Sequence, residues 1–306
     1  MKCRKCKKPA VLKMPRHNTA FCDVCFQGYL LKQVQKAISD GKMFLKEVPI
    51  LVAVSGGKDS LALWDILIKL GYETVGLHLN LGIGAYSATS QQMVEKFAQT
   101  RNLRLITHGY QESYGLGVVE IAKASARPAC SACGTMKRHH FNRIAIEEGF
   151  PVVATGHNLD DEAARLLGNL LKWQVPYLEK QSPVLPDDNG QWAKKVKPLY
   201  RLPEREMAAY AILNRIDYIV EECPMSNGAK AFTYKETLNR LEEASPGAKH
   251  QFYLGFLKQK EKSFPSPPPV TDADACLTCG QPSQGEQCGY CRLIERSTSL
   301  IVSSTQ

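Results

Sequence analysis

Several things are scarce in this sequence, and each shortage excludes something. No apolar run approaches the roughly 18 residues that a helix needs to cross a bilayer, so no membrane-spanning role is expected. The opening residues, Met1-Lys2-Cys3-Arg4-Lys5-Cys6, lack the apolar core of a secretory signal. Acidic residues are rare at the start: before Glu47 only Asp23 and Asp40 stand against eleven lysines and arginines between Lys2 and Lys46. Cysteine, by contrast, is plentiful. With no sign of export, eleven cysteines read as metal ligands or catalysts rather than disulfides, and a cytoplasmic protein is expected. The formal net charge of +9 suits a polyanionic partner such as RNA, although a solvated basic face is the ordinary fate of a charge run.

The stretch around which the chain is organised runs from Ile50 to Ser60. Five apolar residues rich in Val and Ile read as a buried parallel strand. Ser55-Gly56-Gly57-Lys58-Asp59-Ser60 follows, and then Leu61, Leu63, Trp64, Leu67 and Ile68 recur at helical spacing. A loop from a strand end to a helix start gathers free amides under a favourable helix dipole, so it is an anion site. Paired glycines let phosphate oxygens approach, while Ser55, Lys58 and Ser60 add donors. A Walker A loop needs four residues between its first Gly and the Gly-Lys pair, and this one lacks them. The string instead resembles the PP-loop of ATP pyrophosphatases, which split ATP between the α and β phosphates and adenylate a substrate.

Cys3-x-x-Cys6 and Cys22-x-x-Cys25 match the spacing of a zinc knuckle, as do Cys276-x-x-Cys279 and Cys288-x-x-Cys291. Four thiolates close a structural site, and a segment this short takes its folding energy from the metal. Two disulfides are the alternative for the first quartet. The domains are read as residues 1–27 (N-terminal knuckle), 28–262 (catalytic domain, opened by a basic connecting helix over 28–48), 263–270 (a Pro-rich linker) and 271–306 (C-terminal knuckle).

Strands and helices alternate after Pro49. Strands are expected at 50–54, 74–80, 103–107 and 152–154. Helices are expected at 28–46, after Ser60, at 87–101, 118–125 and 135–148, and from the 155–162 turn to about 172. Residues 173–197 read as a loop over the crevice, 203–214 and 234–243 as helices, and Ile219-Val220 as a short strand. Repeated βα units imply an α/β fold: a parallel sheet with helices on both faces, flanked by two small zinc-binding domains. Ligands in such sheets bind at the carboxyl ends of the strands. That gathers the Ser55 loop, His78 to Gly84 and Gly156 to Asp161 round one crevice.

Cys130, Cys133 and Cys223 remain. Cys130-Ser131-Ala132-Cys133 is placed between a strand and a helix, and Cys223 just past the apparent strand at 219–220. Three thiolates suit a [4Fe–4S] cluster with one iron lacking a protein ligand. A redox CxxC with a bystander, three zinc ligands with an open position, or three buried thiols remain open alternatives.

Taken together, the two terminal knuckles, Ser55 to Ser60, Cys130-x-x-Cys133, Thr155-Gly156-His157-Asn158-Leu159-Asp160-Asp161 and Glu221-Glu222-Cys223-Pro224 resemble the TtuA-type tRNA 2-thiouridine synthetases nearly end to end. The resemblance implies thiolation of the T-loop 5-methyluridine of tRNA, with sulfur from a ubiquitin-like carrier ending in a thiocarboxylate. It also implies a [4Fe–4S] cluster on Cys130, Cys133 and Cys223, and a homodimer. ATP and Mg²⁺ are the further cofactors, beside two Zn²⁺. On this reading Lys58 holds phosphates, Asp59 and Asp161 hold Mg²⁺ or cap their helices, and Lys137 reaches the α phosphate or a developing oxyanion. Ala53 and Ile83 line the adenine pocket, and Gly156 permits close approach. His78 and His157 position loops; His139 and His140 carry no role. The rivals are a PP-loop enzyme acting on a wobble uridine or a cytidine, a PP-loop amide ligase or lysidine-type enzyme needing no cluster, and a zinc-knuckle RNA-binding protein with an inactive nucleotide site.

Overall fold

The computed structural model describes residues 1–187, 190–226, 228, 230–267 and 274–303, the side chains of 114 and 298–303 aside. A hairpin of β1 (Leu12–Met14) and β2 (Thr19–Phe21) leads into α1 (Asp23–Asp40). The alternating part follows: β3 (Ile50–Ala53), α2 (Lys58–Lys69), β4 (Thr74–Asn80), α3 (Gly84–Thr100), β5 (Leu105–Gly109), α4 (Tyr110–Tyr114), α5 (Val118–Ala124), α6 (Ala129–Glu147), β6 (Val152–Thr155) and α7 (Leu159–Leu171). Then come α8 (Val175–Glu179), β7 (Val184–Leu185), β8 (Lys194–Val196), α9 (Glu204–Leu213), α10 (Lys230–Ala244) and α11 (Ala248–Ser263). A second hairpin of β9 (Asp274–Ala275) and β10 (Pro282–Ser283) precedes α12 (Gly289–Ser303).

The central sheet has six strands in the order β5-β4-β3-β6-β8-β7. All neighbours are parallel except β7, which runs antiparallel to β8 at the edge. Side chains alternate across the sheet, so it has two cores. Ile50, Val52 and Ala154 face one cluster, with Trp64 of α2; Leu51, Val153 and Leu77 face the other. Gly76 makes room for Trp64: a Cβ there would stand 2.3 Å from the indole ring. The terminal units are built into these cores. Met14 and Phe26 of the N-terminal unit join the first. Cys276, Tyr290, Cys291 and Leu293 of the C-terminal unit join the second, against Ala132 and Met136 of α6.

Several expectations are corrected. The first helix starts at Asp23, not Gly28, and so includes Cys25. The segment 173–197 is not a plain loop, because β7 and β8 extend the sheet there. Ile219-Val220 is not a strand; the Ile219 amide makes a single bond to the Gly56 carbonyl at 2.9 Å. The long helix begins at Ala129, six residues before the expected Thr135, and carries Cys130 and Cys133 in its first two turns rather than before it. Part of the Pro-rich stretch, residues 268–270, lies outside the described residues.

Candidate active site

At the carboxyl end of β3 the chain turns through Gly56, whose φ of +76° is open to glycine at little cost. A Cβ there would also stand 2.6 Å from the Ser90 carbonyl oxygen. Local bonds fix the turn. The Ser55 amide donates to Ser60 Oγ at 3.1 Å, Ser60 Oγ to the Gly57 carbonyl at 3.0 Å, and Ser90 Oγ to the Ser55 carbonyl at 2.6 Å. Gly156, after β6, lies against this turn, since a Cβ on it would stand 2.8 Å from the Ser60 nitrogen. The two loops that sequence placed round one crevice are therefore in contact.

A chain of ion pairs runs from this turn. Lys58 Nζ meets Asp59 at 3.2 Å and Glu204 at 2.6 Å; Lys235 Nζ meets Glu204 at 3.0 Å and Asp161 at 2.6 Å. Burial pushes the Asp59 carboxyl up to about 6; Lys58 opposes this, while Asp161 and Glu204 add to it. Asp59 Oδ1 is buried with no hydrogen-bond partner, the state of an oxygen fit to take a cation. Asp161 is differently engaged: Oδ2 accepts from the Asn158 amide at 3.0 Å in a capping box at the start of α7. Burial works against its ionisation, yet Lys235 and His157 hold its carboxyl below the ordinary range. His157 is itself driven down to about 4 by burial.

Beside the turn opens a cavity lined by Ala53, Ser55, His78, Tyr86, Lys137 and Phe141, among others. Leu79 and Leu81 line it as well, whereas Ile83 is buried at the start of α3 and is not in the wall. His78 hydrogen-bonds the Val54 carbonyl through Nδ1 at 3.0 Å, which ties β4 to the turn. Lys137 joins this cavity to the central thiols: it lines the wall and stands four residues after Cys133 on α6, where its charge acts on that thiol. Burial raises Cys133, Lys137 lowers it, and Cys223 and Cys130 raise it, which puts Cys133 within the field of both other cysteines. Cys130 Sγ lies 3.6 Å from the Met225 carbonyl oxygen, so the segment after Cys223 packs on the first turn of α6.

The cysteines divide into two kinds of group. Among the described residues, the quartets Cys3, Cys6, Cys22, Cys25 and Cys276, Cys279, Cys288, Cys291 each have all sulfurs within 4.8 Å of one another. Cys6 and Cys22 are 3.4 Å apart, and Cys279 and Cys288 3.8 Å. A zinc tetrahedron with bonds near 2.3 Å has sulfurs about 3.8 Å apart, so both quartets fit zinc. Against the pull of burial, backbone amides bring the Cys3 and Cys276 thiols down to about 6, toward the thiolate a metal needs. The central three do not meet that 4.8 Å limit. A cubane cluster is wider than one ion, so thiols spread beyond that limit leave room for one; Cys130 is exposed, and Cys133 and Cys223 are half-buried. Glu204 and Lys235 were not singled out from sequence. They lie far along the chain, and no spacing ties them to Lys58.

A parallel sheet, a cradle at the end of its central strand and cations and carboxylates grouped there define a PP-loop nucleotide enzyme. The PP-loop domain family matches residues 29–238, and the N-terminal LIM domain of 2-thiouridine synthetase TtuA matches residues 2–27. The chain is 47% identical to a tRNA-5-methyluridine(54) 2-sulfurtransferase of Thermus thermophilus, over 96% of this chain and 91% of that one. It is 41% identical to the Pyrococcus horikoshii protein of the same name, over 100% and 98%. A solved structure, the U34-tRNA thiolase NcsA from Methanococcus maripaludis with its [4Fe-4S] cluster, superposes with a TM-score of 0.81 at 25% identity, covering 98% and 96%. The chain belongs to the TtuA-type tRNA 2-thiouridine synthetases, ATP-dependent sulfurtransferases of the PP-loop superfamily.

Proposed function

We propose that the protein replaces the C2 oxygen of a tRNA uridine by sulfur, acting on the T-loop 5-methyluridine. The observation that carries this reading is Lys137, which lines the cavity beside the turn and, four residues after Cys133 on α6, acts with its charge on that thiol. The choice of nucleoside follows the relatives: those named for 5-methyluridine(54) are 41–47% identical over nearly the whole chain, the U34 thiolase 25%.

Oxide is a poor leaving group, so the uracil oxygen is first adenylated. O2 attacks the α phosphorus, pyrophosphate departs, and AMP later leaves from C2 as sulfur takes its place. Amides of Ser55 to Ser60 and the start of α2 neutralise the pyrophosphate without rearranging. Lys58 donates to the phosphates. Asp59, through its unpartnered Oδ1, and Asp161 hold Mg²⁺. Lys137 stabilises charge on the α phosphate. Ala53 and Ile83 belong to the adenine side, the latter from behind the wall. Gly156 keeps the second loop close. Cys130, Cys133 and Cys223 hold a [4Fe–4S] cluster, which when bound supplies an iron with a coordination place open to sulfur. The sulfur comes from a ubiquitin-like carrier with a C-terminal thiocarboxylate. The two quartets hold Zn²⁺ and are structural, the working unit is a homodimer, and the location is cytoplasmic. No disulfide joins any of the eleven cysteines, which leaves all of them to bind metal. Among the described residues no helix is long and apolar enough to cross a membrane.

The domain limits follow the same reading, with 1–27 and 271–306 as the knuckles round a catalytic part at 28–262 and the linker at 263–270. Anaerobic iron reconstitution of wild type and Cys223→Ala tests the central assignment. Iron should fall to background in the variant while ATP binding persists, whereas full iron content in Cys223→Ala would remove Cys223 from the cluster.

A further inference from the structure

Three helices begin at the nucleotide turn: α2 at Lys58, α7 at Leu159 and α9 at Glu204. Their helix dipoles add positive potential at one place. Into it the chain sends the carboxylates of Asp59, Asp161 and Glu204 and the ammonium groups of Lys58 and Lys235. Glu204 is the bridge, since its Oε1 accepts from Lys58 at 2.6 Å and its Oε2 from Lys235 at 3.0 Å. One carboxylate thus holds two lysines on its two oxygens, and two oxygens of a single phosphoryl group would present the same pattern. The cluster is open to a ligand, with these five side chains between 23% and 34% exposed. Lys235 is also held in place. Its neighbour Tyr234 packs where Gly168 of α7 leaves room, such that a Cβ at 168 would stand 2.7 Å from the ring.

We infer that Lys235 is a second phosphate-binding cation of this site, aimed at the pyrophosphate half of the nucleotide. Glu204 is the residue that positions Lys235 and Lys58 until the phosphates arrive. The inference rests on the adenylation reading above and names a group that its pyrophosphate-holding step requires. AMP, which lacks the β and γ phosphates, does not reach Lys235; ATP and pyrophosphate do.

The test is the affinity of the full-length, anaerobically prepared protein for MgATP, magnesium pyrophosphate and AMP, in wild type, Lys235→Ala and Lys235→Arg. Lys235→Ala should weaken ATP and pyrophosphate by about ten-fold or more and leave AMP within about two-fold, with Lys235→Arg recovering most of the loss. Unchanged ATP and pyrophosphate binding would overturn the inference. So would an equal loss for AMP, because a merely structural lysine moves all three ligands alike. A wild-type protein that binds ATP without splitting it to AMP and pyrophosphate would instead overturn the adenylation reading, and the three affinities would remain readable.

Discussion

Glu206 shows what burial does to a single side chain here. One oxygen meets Arg16 at 3.1 Å while the other is buried without a partner. Burial outweighs Arg16 and lifts its carboxyl from 4.5 to about 7. The folded state therefore holds the proton more tightly than the unfolded chain. The contribution to stability is complete below pH 4.5 and is lost as pH rises through about 7. Glu206→Gln removes that loss, so the variant should gain on wild type across this window, by roughly 3 kcal/mol at most. Urea midpoints at pH 4.5 and pH 8 check it; a difference independent of pH would contradict the shift. Not every residue near the turn was readable from sequence. Ser55 to Ser60 announced themselves through a contiguous pattern between strand and helix. Glu204 and Lys235 could not, since each is an ordinary surface residue type until folding brings it to Lys58.

At the scale of elements, legibility followed the strength of the apolar pattern. The strand at 50–53 is apolar throughout and was plain. Strand β8 reads Lys194-Lys195-Val196 and carries no such signal; only pairing with β6 and β7 makes it a strand. The helix α11 was missed because its buried positions, Lys249, Tyr253 and Lys260, form no regular apolar stripe. Cys130 and Cys133 were expected in a loop, yet α6 continues back through them. Two contacts between elements give predictions. Gly156→Ala sets a methyl against the Ser60 backbone, which cannot turn aside. It should weaken ATP binding by about ten-fold or more, measured by titration; undiminished affinity would show that the two loops need not touch. Gly168→Ala should cost about 1–3 kcal/mol by crowding Tyr234, and this cost should vanish in a Tyr234→Ala background. Thermal unfolding of the four proteins reads the cycle, and additive losses would contradict the packing described.

At the scale of the molecule, the two cysteine quartets sit on opposite faces of the sheet, each feeding residues into a different core. Sequence marked them as short appendages because their ligand spacing is local. Their burial against the sheet depends on contacts distant along the chain, such as Tyr290 stacked on His139 of α6 at 3.9 Å. Cys276→Ser should therefore lower the melting temperature of the whole protein in a single transition and release one metal per chain. A separate early transition that leaves the main one in place would show an independent C-terminal unit.

The central claim joins a nucleotide turn and three thiols in one reaction on tRNA. Its most direct test is mass spectrometry of nucleosides from tRNA incubated anaerobically with the reconstituted protein, MgATP and a sulfide source. The account predicts 2-thio-5-methyluridine in step with AMP, and none with Lys58→Ala or Cys223→Ala. ATP consumption without any thionucleoside, or a thionucleoside undiminished by Cys223→Ala, would contradict it.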